Sequence, residues 1–224
     1  MTFSVVGRCQ DSGMFGVAVA SSSPAVAARC AYAAAGVGAV ASQNVTDPTL
    51  GGRGLELMRA GASAQQAVEI LAATGEWIDH RQVLAVDANG VTAIHSGSNA
   101  LGIWSSALSD NVACGGNLLA NAGVPQAMVD AFSDFSGNLG DRLLHTMRAG
   151  LAAGGEAGPI RSAGLKLVRE VSWPVADLRV DWTDECPITQ LENIWNIYAP
   201  QLDDYVTRAL NPTAAPSYGV PGDE

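Results

Sequence analysis

Thr2 is the residue with the shortest route to chemistry. A small residue after Met1 is what methionine aminopeptidase needs to expose a new amino terminus. Thr2 would then carry a hydroxyl and an α-amine on one residue, a nucleophile with its own base. The ordinary pKa of such an amine, about 7.7–8.0, is close to what a general base needs near neutral pH, and partial burial at the start of a strand lowers it. Neither histidine nor aspartate is then required. Threonine also follows Met in many proteins that do no chemistry, so position alone decides little.

The second candidate is GGNLLA (115–120). Two glycines let a backbone N–H approach a ligand closely. An Asn117 side chain can donate to a developing oxyanion, a contact worth about 3–4 kcal/mol in a transition state. Whether Gly116 or Asn117 would donate stays open, and a Gly-Gly-Asn turn capping a strand would use the same residues. His95, at a strand end, can contact substrate or cap a hairpin. Arg53, inside LGGRG (50–54), suits a substrate carboxylate; without a following Lys-Ser/Thr that stretch is no phosphate loop. No GxSxG elbow, Ser-His-Asp order or HExxH spacing occurs, so the chemistry is expected to need no metal and no cofactor.

The elements that must position these residues are read from periodicity. Phe3, Val5 and Val6 lead through a CQDSG turn (9–13) into a strand FGVAVASSS (15–23). After an Ala-rich stretch (25–35), GVGAVASQNV (36–45) reads as a third strand. Leu55 and Met58 mark a helix that ends before Gly61, and Ser63 suits the cap of a second from Ala64 to Ala73. A hairpin over 83–97 turns at Asn89-Gly90, and another strand spans Val112 to Leu119. Helices follow over Pro125–Phe135 and Leu139–Ala153, then a linker GGEAGP (154–159) and strands over 162–170 and 176–182. A final helix begins near Pro187 and carries Leu191, Trp195, Leu202 and Tyr205. Residues 1–210 read as a single domain, and the Pro- and Gly-rich 211–224 as a loose tail. Strand runs alternating with helix pairs predict an α+β fold, either two packed sheets with helices outside or a plain sandwich.

Composition narrows the class. Hydrophobic residues make up 48% and charged ones 15%, which argues for a large buried core. The low charge also favours a homo-dimer or larger homo-oligomer. With 12 basic residues against 22 acidic ones and a net charge of −10, no nucleic-acid partner is expected. No apolar run approaches the roughly 18 residues of a membrane span, so no membrane is expected either. MTFSVVGRCQ has neither the basic nor the apolar region of a signal peptide, and no two of the four cysteines form a CxxC pair. Free buried thiols and a cytoplasmic location follow.

Seven segments in order, MTFS (1–4), GVAVAS (16–21), GVGAVASQ (36–43), GLELMRAG (54–61), HSG (95–97), GGNLLA (115–120) and DLRVD (177–181), resemble an uncharacterised, mainly bacterial family assigned to the Ntn (N-terminal-nucleophile) hydrolase superfamily. The resemblance extends to about Leu191. It implies a four-layer αββα sandwich and an N-terminal nucleophile, here Thr2, acting on an amide. It also favours Ser21 and Gln43 as pocket-lining, although each could be an ordinary strand-end polar group. Ser162 resembles the serine that supports the amine in related enzymes. Three departures stand out: Arg161 where the family tends to have Gln, Gly154-Gly155-Glu156 in place of Gly-Gly-Asp, and the Ser run at 21–23.

The expectation is a hydrolase of a small-molecule amide, linear or cyclic. Thr2 is its nucleophile, Gly116 and Asn117 serve the oxyanion, and Ser21, Gln43, Arg53, His95 and Ser162 line the substrate. The alternative is a non-catalytic small-molecule-binding protein that retains the same fold.

Overall fold

The computed structural model describes residues 2–222. Removal of Met1 and the last two residues of the tail lie outside the described residues. The chain is a mixed α+β structure with two antiparallel sheets. Its elements are β1 (Thr2–Arg8), β2 (Phe15–Ser21), α1 (Val26–Cys30), β3 (Ala31–Ala34), β4 (Gly38–Asn44), α2 (Thr49–Arg59), α3 (Ala64–Thr74), β5 (Arg81–Asp87), β6 (Thr92–Ser96), β7 (Ser105–Ser109), β8 (Val112–Asn117), α4 (Val124–Asp134), α5 (Leu139–Ala152), β9 (Ser162–Val168), β10 (Ala176–Val180), α6 (Pro187–Tyr198) and α7 (Leu202–Leu210). One sheet has the order β10-β9-β2-β1-β8-β7, the other β3-β4-β5-β6.

Strand parity sorts side chains into three apolar clusters. Phe3, Val5, Ala18, Cys114 and Leu165 point from the six-stranded sheet into helices α4 to α7. Val6, Phe15, Val17 and Val19 point the other way, to Ala39, Ala41, Leu84 and Val86 of the four-stranded sheet. Val40, Val83 and Ala85 face outward to Leu50, Leu55 and Leu71 of α2 and α3. Alanines at 39 and 41 let the sheets approach closely. Each Val, Leu or Phe buried there contributes about 1.5–3 kcal/mol relative to exposure.

Local signals explain several boundaries. Ser63 and Gln66 form a reciprocal capping box at the start of α3. Asn138 accepts from the Asp141 N–H to cap α5. The β5–β6 hairpin turns at Asn89-Gly90, with Gly90 at φ +83°, a conformation suited to glycine. No helix among the described residues is long and apolar enough to cross a membrane. The four cysteines are free thiols, Cys30 and Cys114 fully buried.

The structure adds two elements to this reading and corrects it at two places. The Ala-rich 25–35 stretch is a short helix followed by strand β3. Strand β7 went unread because Ser105–Ser109 is an edge strand with only partial burial. The last helix breaks at Ala199–Gln201, where Pro200 lacks an N–H to continue it, and resumes as α7. The 154–159 segment is more than a linker, since Glu156 is buried and pairs with Leu119.

Candidate functional site

Polar side chains gather where β1, β2, β4, β5 and β8 end together. Thr2 opens β1 between β2 and β8, directly opposite Asn117, while Phe3 lies opposite Ala20. On β1, the alternation that sends Phe3 and Val5 to the helices sends Thr2 and Ser4 between the sheets with Val6. The same parity places Ser21 beside Val17 and Val19, Gln43 beside Ala39 and Ala41, and Gln82 beside Leu84 and Val86. All of these polar residues are buried, Thr2 at 5% exposure and Asn117 at 0%.

Their hydrogen bonds form two neighbouring sets. Thr2 Oγ1 donates to Ser21 Oγ at 3.3 Å, and Ser21 Oγ also accepts from the Ser23 N–H at 3.1 Å. Ser4 Oγ donates to Gln43 Oε1 at 2.6 Å, and Gln43 Nε2 donates to Gln82 Oε1 at 2.7 Å. Gln82 Nε2 extends the second set by donating to Ser96 Oγ at 3.0 Å and to the Gly116 carbonyl at 3.2 Å. That last bond fixes the Gly116–Asn117 peptide beside Thr2.

Asn117 is the exception. Among the described residues, neither its Oδ1 nor its Nδ2 has a hydrogen-bond partner. Leaving a buried amide unpaired costs about 1–3 kcal/mol, so it asks for an explanation. The next residue, Leu118, sits at φ +50°, a conformation that costs a side-chain-bearing residue about 1–3 kcal/mol and that clusters at ligand sites. The 97–104 segment braces this kink: the Leu118 and Leu119 N–H groups donate to the Leu101 and Ile103 carbonyls, both at 2.8 Å.

Glu156 is a buried carboxylate at the same strand ends. The Ser22 N–H donates to both its oxygens, at 3.1 and 3.2 Å. Burial pushes its carboxyl up to about 7, while the Ser22 hydrogen bond pulls it back.

The structure thus brings Thr2, Asn117, Ser21 and Gln43 together. Ser162 pairs with Ser21 across β2–β9, but its hydroxyl donates to the Ser23 carbonyl at 2.6 Å and accepts from the Val26 N–H at 3.2 Å. It braces the 23–26 turn behind Ser21. Gly116 faces the helices, where an added Cβ would lie 2.5 Å from Leu119 and 3.1 Å from Phe3. Its missing side chain therefore serves packing. Arg53 lies on the outer helix α2 and donates to Thr74 Oγ1 at 3.0 Å. His95 shares the outward parity of Ala93, with Nε2 3.2 Å from the Ile78 carbonyl. Neither Arg53 nor His95 joins Thr2.

Sequence reasoning missed Ser4, Gln82 and Glu156. Ser4 and Gln82 did carry a signal: each is a polar residue in phase with apolar ones on a buried strand face. A cavity of about 350 Å³, lined by Met58, Ser63, Asp87 and Asn89, lies at the opposite end of β4 and β5. Its Asp87 carboxylate is occupied by the Ala64, Asn89 and Val91 N–H groups, which makes it structural.

A model of the family of unknown function DUF1028 matches residues 2–191. A crystal structure of a DUF1028 protein from Silicibacter pomeroyi is similar at 26% identity and a TM-score of 0.84, covering 91% of this chain and 89% of the other. Anbu, the ancestral beta-subunit, from Yersinia bercovieri is aligned over 91% of this chain and 97% of its own. That alignment has 10% identity and a TM-score of 0.37, a likeness too low to carry an argument. No curated protein matches the chain.

Proposed function

The chain belongs to DUF1028, a family of unknown function, and from that premise we propose that it is an amide hydrolase of the Ntn type. In this reading the three apolar clusters are the interfaces of an αββα sandwich. With Met1 removed, Thr2 Oγ1 attacks the carbonyl carbon of a small-molecule amide, and the Thr2 α-amine takes the hydroxyl proton. The oxyanion forms beside Asn117. The amine returns the proton to the departing nitrogen, the C–N bond breaks, and an acyl-threonine remains. Water, deprotonated by the same amine, releases the acid and restores Thr2.

The observation that carries this reading is Asn117, buried, unpaired and directly opposite Thr2. A donor left without a partner in the resting site is free for charge that develops during the reaction. Sequence reasoning left open whether Gly116 or Asn117 would donate; the unpaired Nδ2 favours the Asn117 side chain.

The test is a screen of linear and cyclic small-molecule amides against the Met1-free chain, with the mass of the amino terminus confirmed. Thr2→Ala is expected to lose all turnover with its melting temperature unchanged, and Thr2→Ser to keep measurable activity. A bulky residue inserted between Met1 and Thr2 should inactivate the protein by moving the free amine away from the hydroxyl. Full turnover by Thr2→Ala would end the reading. Ligand binding without turnover in a Thr2-first chain would favour the binding-protein alternative.

A further inference from the structure

Strands β2 and β8 end level with Thr2 at Ser21 and Asn117, and what fills the lane between the segments that follow them bears on the Thr2 amine. Ser22 follows Ser21 beyond β2, and Leu118 follows Asn117 beyond β8, one on each side of this lane. The 155–157 segment closes the lane by ties to both sides. Its backbone is tied to the β8 extension: the Ala120 N–H donates to the Gly155 carbonyl and the Ala157 N–H to the Leu118 carbonyl, both at 3.0 Å. Its carboxylate is tied to the β2 extension through the Ser22 N–H. Glu156 therefore spans the lane in line with β1, buried to 5% exposure.

We propose that Glu156 is the positioning residue for the Thr2 α-amine, an anion built into the head of β1 that orients the amine and shares a proton with it. This rests on the Ntn reading above. With one proton between them, the pair exists as ammonium and carboxylate or as amine and carboxylic acid. Only the second form leaves the amine lone pair free to take the Thr2 hydroxyl proton. The carboxyl, raised to about 7 by burial, and an amine of ordinary pKa about 7.7–8.0 are close enough to titrate as a coupled pair. Among the described residues, the cations nearest in the chain to Ser22 and Glu156 are engaged elsewhere. Arg29 is engaged by the Pro24 and Ala25 carbonyls and Ser23 Oγ, and Arg161 by Asp184. Residues 118–121 and 149–155 carry no ionisable side chain.

The experiment titrates the amine directly. In the ¹³C-labelled full chain prepared with Thr2 first, the Thr2 ¹³Cβ shift follows protonation of its amine. The ¹³Cε of Lys166, the chain's single lysine, serves as internal reference. Glu156→Gln keeps the side chain's shape and an acceptor for Ser22 but removes the charge. Its Thr2 midpoint is expected about one pH unit below that of the unaltered chain, with Lys166 unmoved, because a nearby anion favours the ammonium. Glu156→Asp, with its carboxylate drawn back, should shift the midpoint less in the same direction, and it serves as the variant should Glu156→Gln fail to fold. Coincident Thr2 midpoints in the unaltered chain and a folded variant would overturn the proposal. A shifted midpoint in a chain that hydrolyses no amide would overturn the hydrolase reading and leave the pairing standing. Turnover that requires Thr2 with unmoved midpoints would do the reverse.

Discussion

The layer between the two sheets has two ends of opposite chemistry, built by the same strands. At one end β1, β2 and β5 contribute Val6, Phe15, Val17, Leu84 and Val86; at the other they contribute Thr2, Ser4, Ser21 and Gln82, joined by Gln43 and Asn117. Both ends are equally dry. Backbone pairing continues unbroken from one to the other, so the fold does not require the polar end to be polar. The apolar end supplies transfer free energy. The polar end spends hydrogen bonds to recover desolvation, and at Asn117 it does not recover it. In this protein, stability and the proposed chemistry occupy opposite ends of one buried layer.

Substitutions can break that comparison or sharpen it. The largest effect is expected at Asn117: Asn117→Ala should lower kcat about 100- to 1,000-fold. It should leave the melting temperature unchanged or raised, because two unpaired buried polar atoms disappear. Parallel loss of activity and stability would show that Asn117 holds the fold instead. At the apolar end, Leu84→Ala should cost about 2–5 kcal/mol in denaturant unfolding while the remaining folded enzyme keeps its kcat. A change in kcat without a change in stability would erase the division.

A smaller, pH-dependent effect is expected from Glu156. Its carboxyl is near 7 when folded against an ordinary 4.5, so between those values the folded chain holds a proton that the unfolded chain has released. Its contribution to stability is complete below about 4.5 and is lost as pH rises through about 7. Melting curves across that window should therefore slope less steeply for Glu156→Gln than for the unaltered chain; identical slopes would remove Glu156 from the polar end. The smallest effects belong to Arg53→Ala and His95→Ala, which should change stability by no more than about 0.5 kcal/mol and leave turnover unaltered. A large loss of turnover in either would extend the site to the outer face of the four-stranded sheet.

Much of the frame was legible because its signals are local. The β1–β2 alternation, the Ser63 cap, the Asn89-Gly90 turn and the paired helices on either side of the Gly61 break all act within a few residues. The misses share a cause. Val26–Cys30 is too short to show a helical period. Ser105–Ser109 lies at a sheet edge, where alternation is weak. Residues 154–156 have loop composition, and only the β8 extension makes Glu156 a buried strand partner. At the site, Arg53 and His95 carry suitable chemistry but lie on elements that turn them outward.

By itself the sequence determined which residues could do chemistry and which face of each strand they occupy, since functional groups are fixed by residue type and parity by the two-residue repeat of a strand. Thr2, Ser4 and Val6 share one face of β1 in any sheet that strand enters. Only the tertiary structure decided what that face meets. The order β2-β1-β8 sets Asn117 opposite Thr2, the β4–β5 pairing lines Gln43 up with Gln82, and the strand extensions draw Glu156 into line with β1. Those neighbours are distant in the chain, and long-range strand pairing is selected by the whole buried layer, which no local pattern encodes.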